Sequence, residues 1–153
     1  MSYLSPRARR LLDSTRVARL ATVSPQGDPY PVPICFVAVE HPAKDGSEGS
    51  PLMHVYSVVD EKPKRTRNLK RVRNISDTSR AALIVDQYHD DWAQLGWVQL
   101  RGEATLVIDP NERTLALEQL RARYPQYNDM NLEAAPLLCL HVTHAAEWWA
   151  TSE

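Results

Sequence analysis

The sequence predicts a mainly β fold: an antiparallel barrel with a few packed helices, forming one domain over residues 1–153. Apolar and polar residues alternate along residues 95–109, as in a long strand with one buried face. Other strand-like runs dominate the chain and are not separated by regular helical crossovers, which disfavours a parallel doubly wound sheet. A chain of 153 residues with 43% hydrophobic content has the size and composition of one domain with its own core.

Two helices are predicted from an N-cap residue followed by a proline in the first turn. Ser5 and Pro6 begin a helix over residues 5–14. Asp109 and Pro110 begin a second helix, and its apolar stripe consists of Leu117, Leu120 and Tyr124. A third, basic amphipathic helix is predicted between residues 62 and 75, where seven of the residues 62–73 are Lys or Arg.

Strands are predicted over residues 16–23, 29–39, 52–59, 81–85, 95–109 and 137–142. The turn-forming residues 24–28 join the first two as a hairpin. Pro31 and Pro33 lack an N–H on the same edge, which indicates a strand start or an edge strand. Gly96 and Gly102 on the inward face predict a strong bend, and residues 40–51 predict a flexible loop.

Composition excludes several classes of protein. A formal net charge of −1 argues against a surface built for nucleic acid. The N-terminus has no apolar signal segment, and no run approaches the ~18 apolar residues that span a bilayer, so we expect a cytoplasmic protein with no membrane partner. Cys35 and Cys139 lie in apolar runs that predict buried free thiols, although sequence leaves a disulfide open.

Familiar catalytic motifs are missing from the sequence. It contains no Gly-x-Gly-x-x-Gly motif, no phosphate-binding Gly-Lys-Ser/Thr loop and no serine in a nucleophile elbow. His89, Asp90 and Asp91 are adjacent in a predicted solvated turn, where neighbours rarely converge on one ion. His54, His141 and His144 are scattered and show no ligand spacing, so they predict partly buried, hydrogen-bonded histidines. We therefore predict no metal site.

A strand that runs into a cationic segment is the strongest candidate site. Lys62, Lys64 and Thr66 alternate where a strand end becomes a helix N-terminus, and two ammonium groups, a hydroxyl and free helix N–H donors suit an anion. A solvated basic helix face is the competing interpretation. Nearby aromatic side chains that could cover a planar ring, or pack in a core or interface, are Tyr88, Trp92 and Trp97.

Three stretches of the sequence resemble a known family. Residues 15–34, with Thr-Arg-Val-Ala-Arg-Leu-Ala-Thr-Val, resemble the opening hairpin of actinobacterial flavin/deazaflavin oxidoreductases of subgroup B. Residues 60–75 resemble the cofactor-phosphate segment of that group, and residues 85–104, with Gly-Trp-Val-Gln-Leu-Arg-Gly, match one of its branches. The resemblance covers about residues 15–142 and departs from the family at the longer stretch 40–51.

The resemblance implies a fold, a cofactor and a site. The fold is a six-stranded antiparallel split β-barrel of the pyridoxamine 5'-phosphate oxidase-like (FMN-binding split barrel) type, as a homodimer with two cofactor sites at its interface. The cofactor is F420, with FMN as the alternative. The implied cofactor-binding residues are Lys62, Lys64 and Thr66 at the phosphate, Val32, Pro33 and Ile34 near the ring, Trp97 near the pocket mouth, and Ser57.

The leading hypothesis is an F420-dependent oxidoreductase that transfers a hydride between reduced F420 and a small unsaturated substrate. An FMN-dependent oxidoreductase on the same scaffold and a non-catalytic cofactor-binding protein are the alternatives. Nucleic-acid binding through residues 62–73 is disfavoured by the near-neutral total charge. No general acid is predicted.

Overall fold

The structure, a computed structural model, describes residues 4–41, 52–60 and 69–153. Lys62, Lys64 and Thr66 lie outside the described residues, as does most of the predicted loop 40–51. The helices are α1 (Pro6–Ser14), α2 (Lys70–Thr78) and α3 (Pro110–Arg123), with 3₁₀ turns at Trp92–Gln94 and Pro125–Asp129. The strands are β1 (Ala18–Val23), β2 (Pro29–Ile34), β3 (Val37–His41), β4 (Leu52–Val58), β5 (Arg80–Gln87), β6 (Gly96–Leu106) and β7 (Leu137–Trp149).

Within the described residues the strands form one antiparallel sheet in the order β2-β1-β5-β6-β7-β4-β3. The sheet is not closed, and β2 and β3 are its edges. The β1–β2 hairpin pairs Ala18 with Ile34 and Val23 with Pro29, which confirms the predicted hairpin and the edge position of Pro31 and Pro33.

Two apolar clusters lie on opposite faces of this sheet. The inner cluster takes side chains from both halves of the sheet, among them Leu20, Leu83, Leu100 and Leu140, and from α1 and α2. Strands from both halves share one core, so the sheet curls around it. The outer cluster packs α3 through Leu117 and Leu120 against β3, β4 and β7.

The helix signals in the sequence are confirmed. Ser5 Oγ accepts a hydrogen bond from Ala8 N at 3.1 Å, and Asp109 Oδ2 accepts one from Glu112 N at 3.2 Å. The predicted stripe Leu117, Leu120 and Tyr124 is buried. None of the described helices is long and apolar enough to cross a membrane.

The strand count and the bounds of several strands differ from the expectation; β6, for example, ends at Leu106 and not at residue 109. The described part of the chain holds seven strands, not six. The predicted strand 29–39 is two strands, because the chain leaves the sheet at Cys35 and Phe36, and β3 continues to His41. The Tyr124 hydroxyl accepts a hydrogen bond from Phe36 N and donates to Phe36 O, both at 3.0 Å, which supplies the partners that a sheet ladder would otherwise supply.

The last strand is also longer than predicted, since β7 runs on to Trp149 alongside β6. The register shifts between Arg101 and Gly102. A Cβ at Gly102 would lie 1.9 Å from the His141 carbonyl oxygen, so only glycine permits this approach of the two strands. The predicted bend at Gly102 is thus a bulge in the β6–β7 pair.

Candidate functional site

One half of the outer sheet surface, on β2, β1, β5, β6 and β7, carries Pro33 and Trp97 of the predicted cofactor site. We call it the open face, because α1 and α2 contribute to the inner cluster and α3 packs on the other half. Trp97 on β6 pairs with Trp148 on β7 and with Asp86 on β5. Trp97 is half-buried and Trp148 is 46% exposed, so two indoles stand side by side on an exposed surface.

The structure divides the predicted ring-contact strand between two faces. Pro33 is exposed and pairs with Arg19, whose side chain reaches Asp86 on the open face. Val32 and Ile34 have the opposite orientation and pack in or against the inner cluster. Of these three residues, Pro33 alone offers its side chain to a molecule on the open face.

Ser57 lies in the interior. It is buried on β4 and, with Ile34 and Ile75, lines a small cavity inside the barrel. The cavity volume is about 10 Å³, which is about the room of one water molecule. The side chains of Ser57 and Ile34 therefore face the same interior cavity, on the side of the sheet away from the open face.

The start of α2 carries a further cation, which follows the predicted phosphate segment in the sequence. Arg71 lies in the first turn, its Nε is buried, and it makes no hydrogen bond in the described part of the chain. Burial lowers the pKa of the Arg71 guanidinium, and the charges of Asp60 and Tyr30 offset part of that effect. Leu69 gives α2 no side-chain cap. Sequence reasoning missed Arg71 as a buried group, because it lies within a run of exposed-looking cations.

Trp97 and the start of α2 lie toward opposite ends of the barrel. Arg71, in the first turn of α2, is close enough to Tyr30 for the charge of Tyr30 to affect the Arg71 pKa. Tyr30 pairs with Thr22, and Thr22 pairs with Ala81 at the start of β5, whereas Trp97 pairs with Asp86 near the end of β5. Five residues of strand separate Ala81 from Asp86, roughly 16 Å at ~3.3 Å per residue. A group that contacts Trp97 in one chain therefore lies well away from the start of α2.

The other half of the outer surface carries a cluster that the sequence spacing did not indicate. His54 on β4 pairs directly with His141 on β7, and Cys139 precedes His141 by two residues on the same face. One ligand atom from each of these three side chains lies within 4.8 Å of the others. His54 and His141 are partly buried and hydrogen-bonded, as predicted, but they are neighbours. His144 lies farther along β7, opposite Arg101, and its ring nitrogen is hydrogen-bonded to the Thr143 hydroxyl.

The cluster continues as a chain of hydrogen bonds. His141 Nδ1 lies 3.2 Å from His54 Nε2, His54 Nδ1 lies 3.3 Å from the Tyr56 hydroxyl, and that hydroxyl donates to Glu112 Oε1 at 3.0 Å. Burial raises the pKa of Tyr56 above its usual value and raises the pKa of the Cys139 thiol to about 12. Both groups are therefore neutral near pH 7.

The remaining candidates are exposed. Asp91 caps the 3₁₀ turn by accepting from Ala93 N, and its own N donates to His89 Nδ1, which confirms the predicted solvated turn. Tyr88 and Trp92 are 69% and 68% exposed, so neither covers a pocket in one chain. Cys35 and Cys139 are free thiols; Cys139 is buried and Cys35 only partly so.

Comparisons with known proteins agree with this fold. A conserved hypothetical protein of Mycobacterium tuberculosis superposes with a TM-score of 0.70 at 16% identity, over 97% of this chain and 86% of that one. HutZ, the heme storage protein of Vibrio cholerae, superposes with a TM-score of 0.68 at 15% identity, over 97% of this chain and 95% of that one. An FAD-binding protein of Mesorhizobium loti superposes with a TM-score of 0.62 at 19% identity, over 94% of each chain. At these identities the likeness shows the fold alone.

Sequence comparison identifies the family. A search of curated proteins finds no significant match. The family model described as pyridoxamine 5'-phosphate oxidase matches residues 4–150, which is nearly the whole chain and includes every strand described above. The protein therefore belongs to the pyridoxamine 5'-phosphate oxidase family.

Proposed function

We propose that the protein is an F420-dependent oxidoreductase that transfers a hydride between reduced F420 and a small unsaturated substrate. An FMN-dependent oxidoreductase is the alternative on the same scaffold. The bound cofactor supplies the redox chemistry, while the chain binds and orients it and keeps water away. Family membership and the fold likeness to an FAD-binding protein support a flavin-type cofactor. A cytoplasmic location, with neither nucleic acid nor membrane as partner, is part of the proposal.

The buried Nε–H of the partly exposed Arg71 side chain is the observation that carries this proposal. Its Nε–H is desolvated and makes no hydrogen bond in the described residues, which costs free energy unless a ligand accepts from it. A phosphate or carboxylate oxygen is the acceptor that suits a guanidinium best. Arg71 directly follows the segment with Lys62, Lys64 and Thr66, so all four groups fit one anionic portion of a cofactor.

The separation of Trp97 from the start of α2 supports a homodimer. In one chain Trp97 faces outward near the end of β5, whereas α2 packs with the inner cluster and its first turn lies near Tyr30. A second copy seated on the open face would bring its own Trp97 toward the cationic segment of the first. We propose that each of two cofactor sites takes its phosphate contacts from one chain and its ring cover from the other.

The surplus of cations favours F420 over FMN. Besides the predicted phosphate contacts and Arg71, residues 62–73 contain Arg65, Arg67, Lys70 and Arg73 and no acid. FMN ends at its phosphate, whereas F420 continues into a lactate and a polyglutamate tail that further cations can bind. Each exposed pair contributes only ~0–1 kcal/mol and is screened by salt, so the preference depends on ionic strength.

Cofactor titration tests the proposal. We expect F420 to bind more tightly than FMN at low salt, with a smaller difference at high salt. Lys64→Ala should weaken F420 binding by roughly ten- to a hundredfold, since a charge-assisted contact contributes about 1.5–3 kcal/mol. Arg10→Ala, which removes an exposed cation of α1, is the matched control. Unchanged affinity in both Lys62→Ala and Lys64→Ala would refute the phosphate assignment, and FMN that co-purifies with the protein would favour the alternative.

A non-catalytic cofactor-binding protein is the second candidate, and the fold likeness to HutZ, a heme storage protein, favours it. Titration with hemin distinguishes the two. Saturation of a Soret-band shift at one equivalent per chain, together with no binding of F420 or FMN, would replace the oxidoreductase proposal.

A further inference from the structure

The strongest unassigned feature of the described residues is the set His54, Cys139 and His141, which we call the His–Cys cluster. It lies on the outer surface of β4 and β7, beside the first turn of α3 and away from the open face. No step of the proposed oxidoreductase function uses it. A role for this cluster is therefore independent of that function.

The spacing of the two imidazoles suits a shared metal ion. His54 Nε2 and His141 Nδ1 are 3.2 Å apart. Two nitrogens bound to one tetrahedral ion at 2.0–2.1 Å lie about 3.3–3.4 Å apart. The strand register sets this distance, since the residues are direct partners of the β4–β7 pair. An ion between the two nitrogens needs almost no movement of the backbone.

Cys139 supplies a third donor on the same side. Its ligand atom lies within 4.8 Å of those of the two histidines, and the residue is fully buried. A metal-bound sulfur and nitrogen lie roughly 3.5 Å apart at ordinary bond lengths. A rotation of the Cys139 side chain that moves its sulfur by about 1 Å therefore completes the set of three ligands.

Each histidine already has the outer hydrogen bond that metal-binding imidazoles require. His54 Nδ1 contacts the Tyr56 hydroxyl at 3.3 Å, and that hydroxyl donates to Glu112 Oε1. Since the Tyr56 proton points to Glu112, its oxygen accepts from His54 Nδ1–H, which leaves the lone pair on His54 Nε2 facing His141. On the far side, His141 Nε2 lies 3.2 Å from Thr105 Oγ1.

His41 lies next to the cluster, outside the set of ligand atoms within 4.8 Å of one another, and becomes a fourth donor when its ring rotates toward the set. Its ring centroid lies 4.7 Å from that of His54, and its Nε2 is buried with no hydrogen-bond partner in the described residues. A buried nitrogen without a partner is costly in a structure that lacks a ligand for it. The carboxylate of Glu112, one hydrogen bond away through Tyr56, adds negative charge that favours a cation.

We propose that His54, Cys139 and His141 form a transition-metal site for Zn²⁺ or a similar borderline divalent ion, with His41 as the fourth ligand. Two imidazoles and one thiolate are typical of tetrahedral zinc and disfavour Mg²⁺ and Ca²⁺, which prefer oxygen. On binding, the Cys139 thiol releases its proton to solvent. The His141 proton moves from Nδ1 to Nε2, where it donates to Thr105 Oγ1, so the two imidazoles stay neutral. The ion joins β3, β4 and β7 and thereby stabilises the sheet.

Metal titration of untagged, chelator-treated protein tests the site. With Co²⁺ as the probe we expect one equivalent per chain, visible d–d bands of tetrahedral cobalt and a near-ultraviolet thiolate-to-cobalt band. Zn²⁺ should displace Co²⁺, raise the thermal midpoint and release about one proton per ion, which a pH indicator detects. Wild-type protein that shows no thiolate band, or releases no proton, would overturn the proposal without any variant.

Variants then assign the ligands. Cys139→Ser should abolish the thiolate band, and His141→Ala should weaken Co²⁺ binding by at least about a hundredfold, more than the loss of an outer hydrogen bond. His144→Ala is the matched control, because it removes an exposed histidine of the same strand. Equal losses in His144→Ala and His141→Ala would indicate adventitious surface binding and refute the site. His41→Ala should weaken binding yet keep the thiolate band, and unchanged affinity there would remove His41 from the ligand set.

Discussion

The two halves of the outer sheet surface differ in what covers them. On β3, β4 and β7, α3 buries the apolar side chains, and the polar ones contact each other, as His141, His54, Tyr56 and Glu112 do. On the open face, Trp97 and Trp148 remain accessible and the described helices pack elsewhere. One half is completed within a single chain. The other presents aromatic surface that a cofactor or a second copy would cover.

The largest expected effect concerns the covered half. Leu120 is fully buried between α3 and the sheet, so Leu120→Ala removes apolar contacts and leaves a cavity. We expect a loss of about 2–5 kcal/mol in the free energy of unfolding, measured by urea denaturation. Leu115→Ala, on the same helix but 63% exposed, should change it by less than about 0.5 kcal/mol. Similar losses in both variants would mean that α3 does not cover this half.

A substitution on the open face should weaken dimer association and leave the stability of the single chain nearly unchanged. Trp148→Ala removes an exposed indole, so the unfolding free energy of the isolated chain should change little. The dimer should weaken by about 2 kcal/mol or more, roughly thirtyfold in the dissociation constant measured by sedimentation. Leu115→Ala, which removes an exposed apolar side chain of α3 on the covered half, is the control. Wild-type protein that is a stable monomer at micromolar concentration would contradict the proposed homodimer.

The contrast between the halves also shows what the sequence could predict. The starts of α1 and α3 could be predicted from local sequence, because Ser5 and Asp109 each accept a hydrogen bond from a residue only three positions later. The alternation of β6 was equally clear, since one face of it is buried. The break at Phe36 was not visible in a continuous apolar run, because its cause is the Tyr124 hydroxyl, which lies 88 residues away.

The His–Cys cluster was missed for the same physical reason. His54 and His141 are 87 residues apart, and only the β4–β7 register makes them partners. The sequence held a weak signal in the two-residue spacing of His54 with Tyr56 and of Cys139 with His141, which places each pair on one face of its strand. No local pattern specified which strands would be neighbours. The opposite orientations of Pro33 and Ile34 did follow from strand alternation, but which of them faces the core depends on the fold.

Alkaline pH should destabilise the covered half. Burial raises the pKa of the Cys139 thiol to about 12, so between about pH 9 and 12 the folded chain holds a proton that the unfolded chain releases. Stability therefore falls as pH rises through this window, by about 2 kcal/mol from pH 8 to pH 10.5. In chelator-treated, metal-free protein, Cys139→Ala should make the loss shallower by about that amount in urea denaturation at the two pH values. Tyr56, whose pKa is also raised, adds a loss of the same sign in both proteins. A variant that loses as much stability as the wild type would contradict the assignment.

The smallest expected effect compares two surface ion pairs. Arg19 and Asp86 meet at 2.8 Å on the open face, while Arg9 and Glu40 meet at 2.9 Å between α1 and β3. All four side chains are at least one-third exposed, so Asp86→Asn and Glu40→Gln should each change the unfolding free energy of a single chain by less than about 1 kcal/mol. The dimer dissociation constant should distinguish the two substitutions, because only the Arg19–Asp86 pair would lose solvent in a dimer formed through the open face. We expect Asp86→Asn to change the dimer dissociation constant by up to about tenfold, with a dependence on salt, and Glu40→Gln to leave it unchanged. If sedimentation finds the wild-type constant for Asp86→Asn at both low and high salt, the dimer does not use this part of the open face. The two tryptophans would then mark a cofactor surface instead.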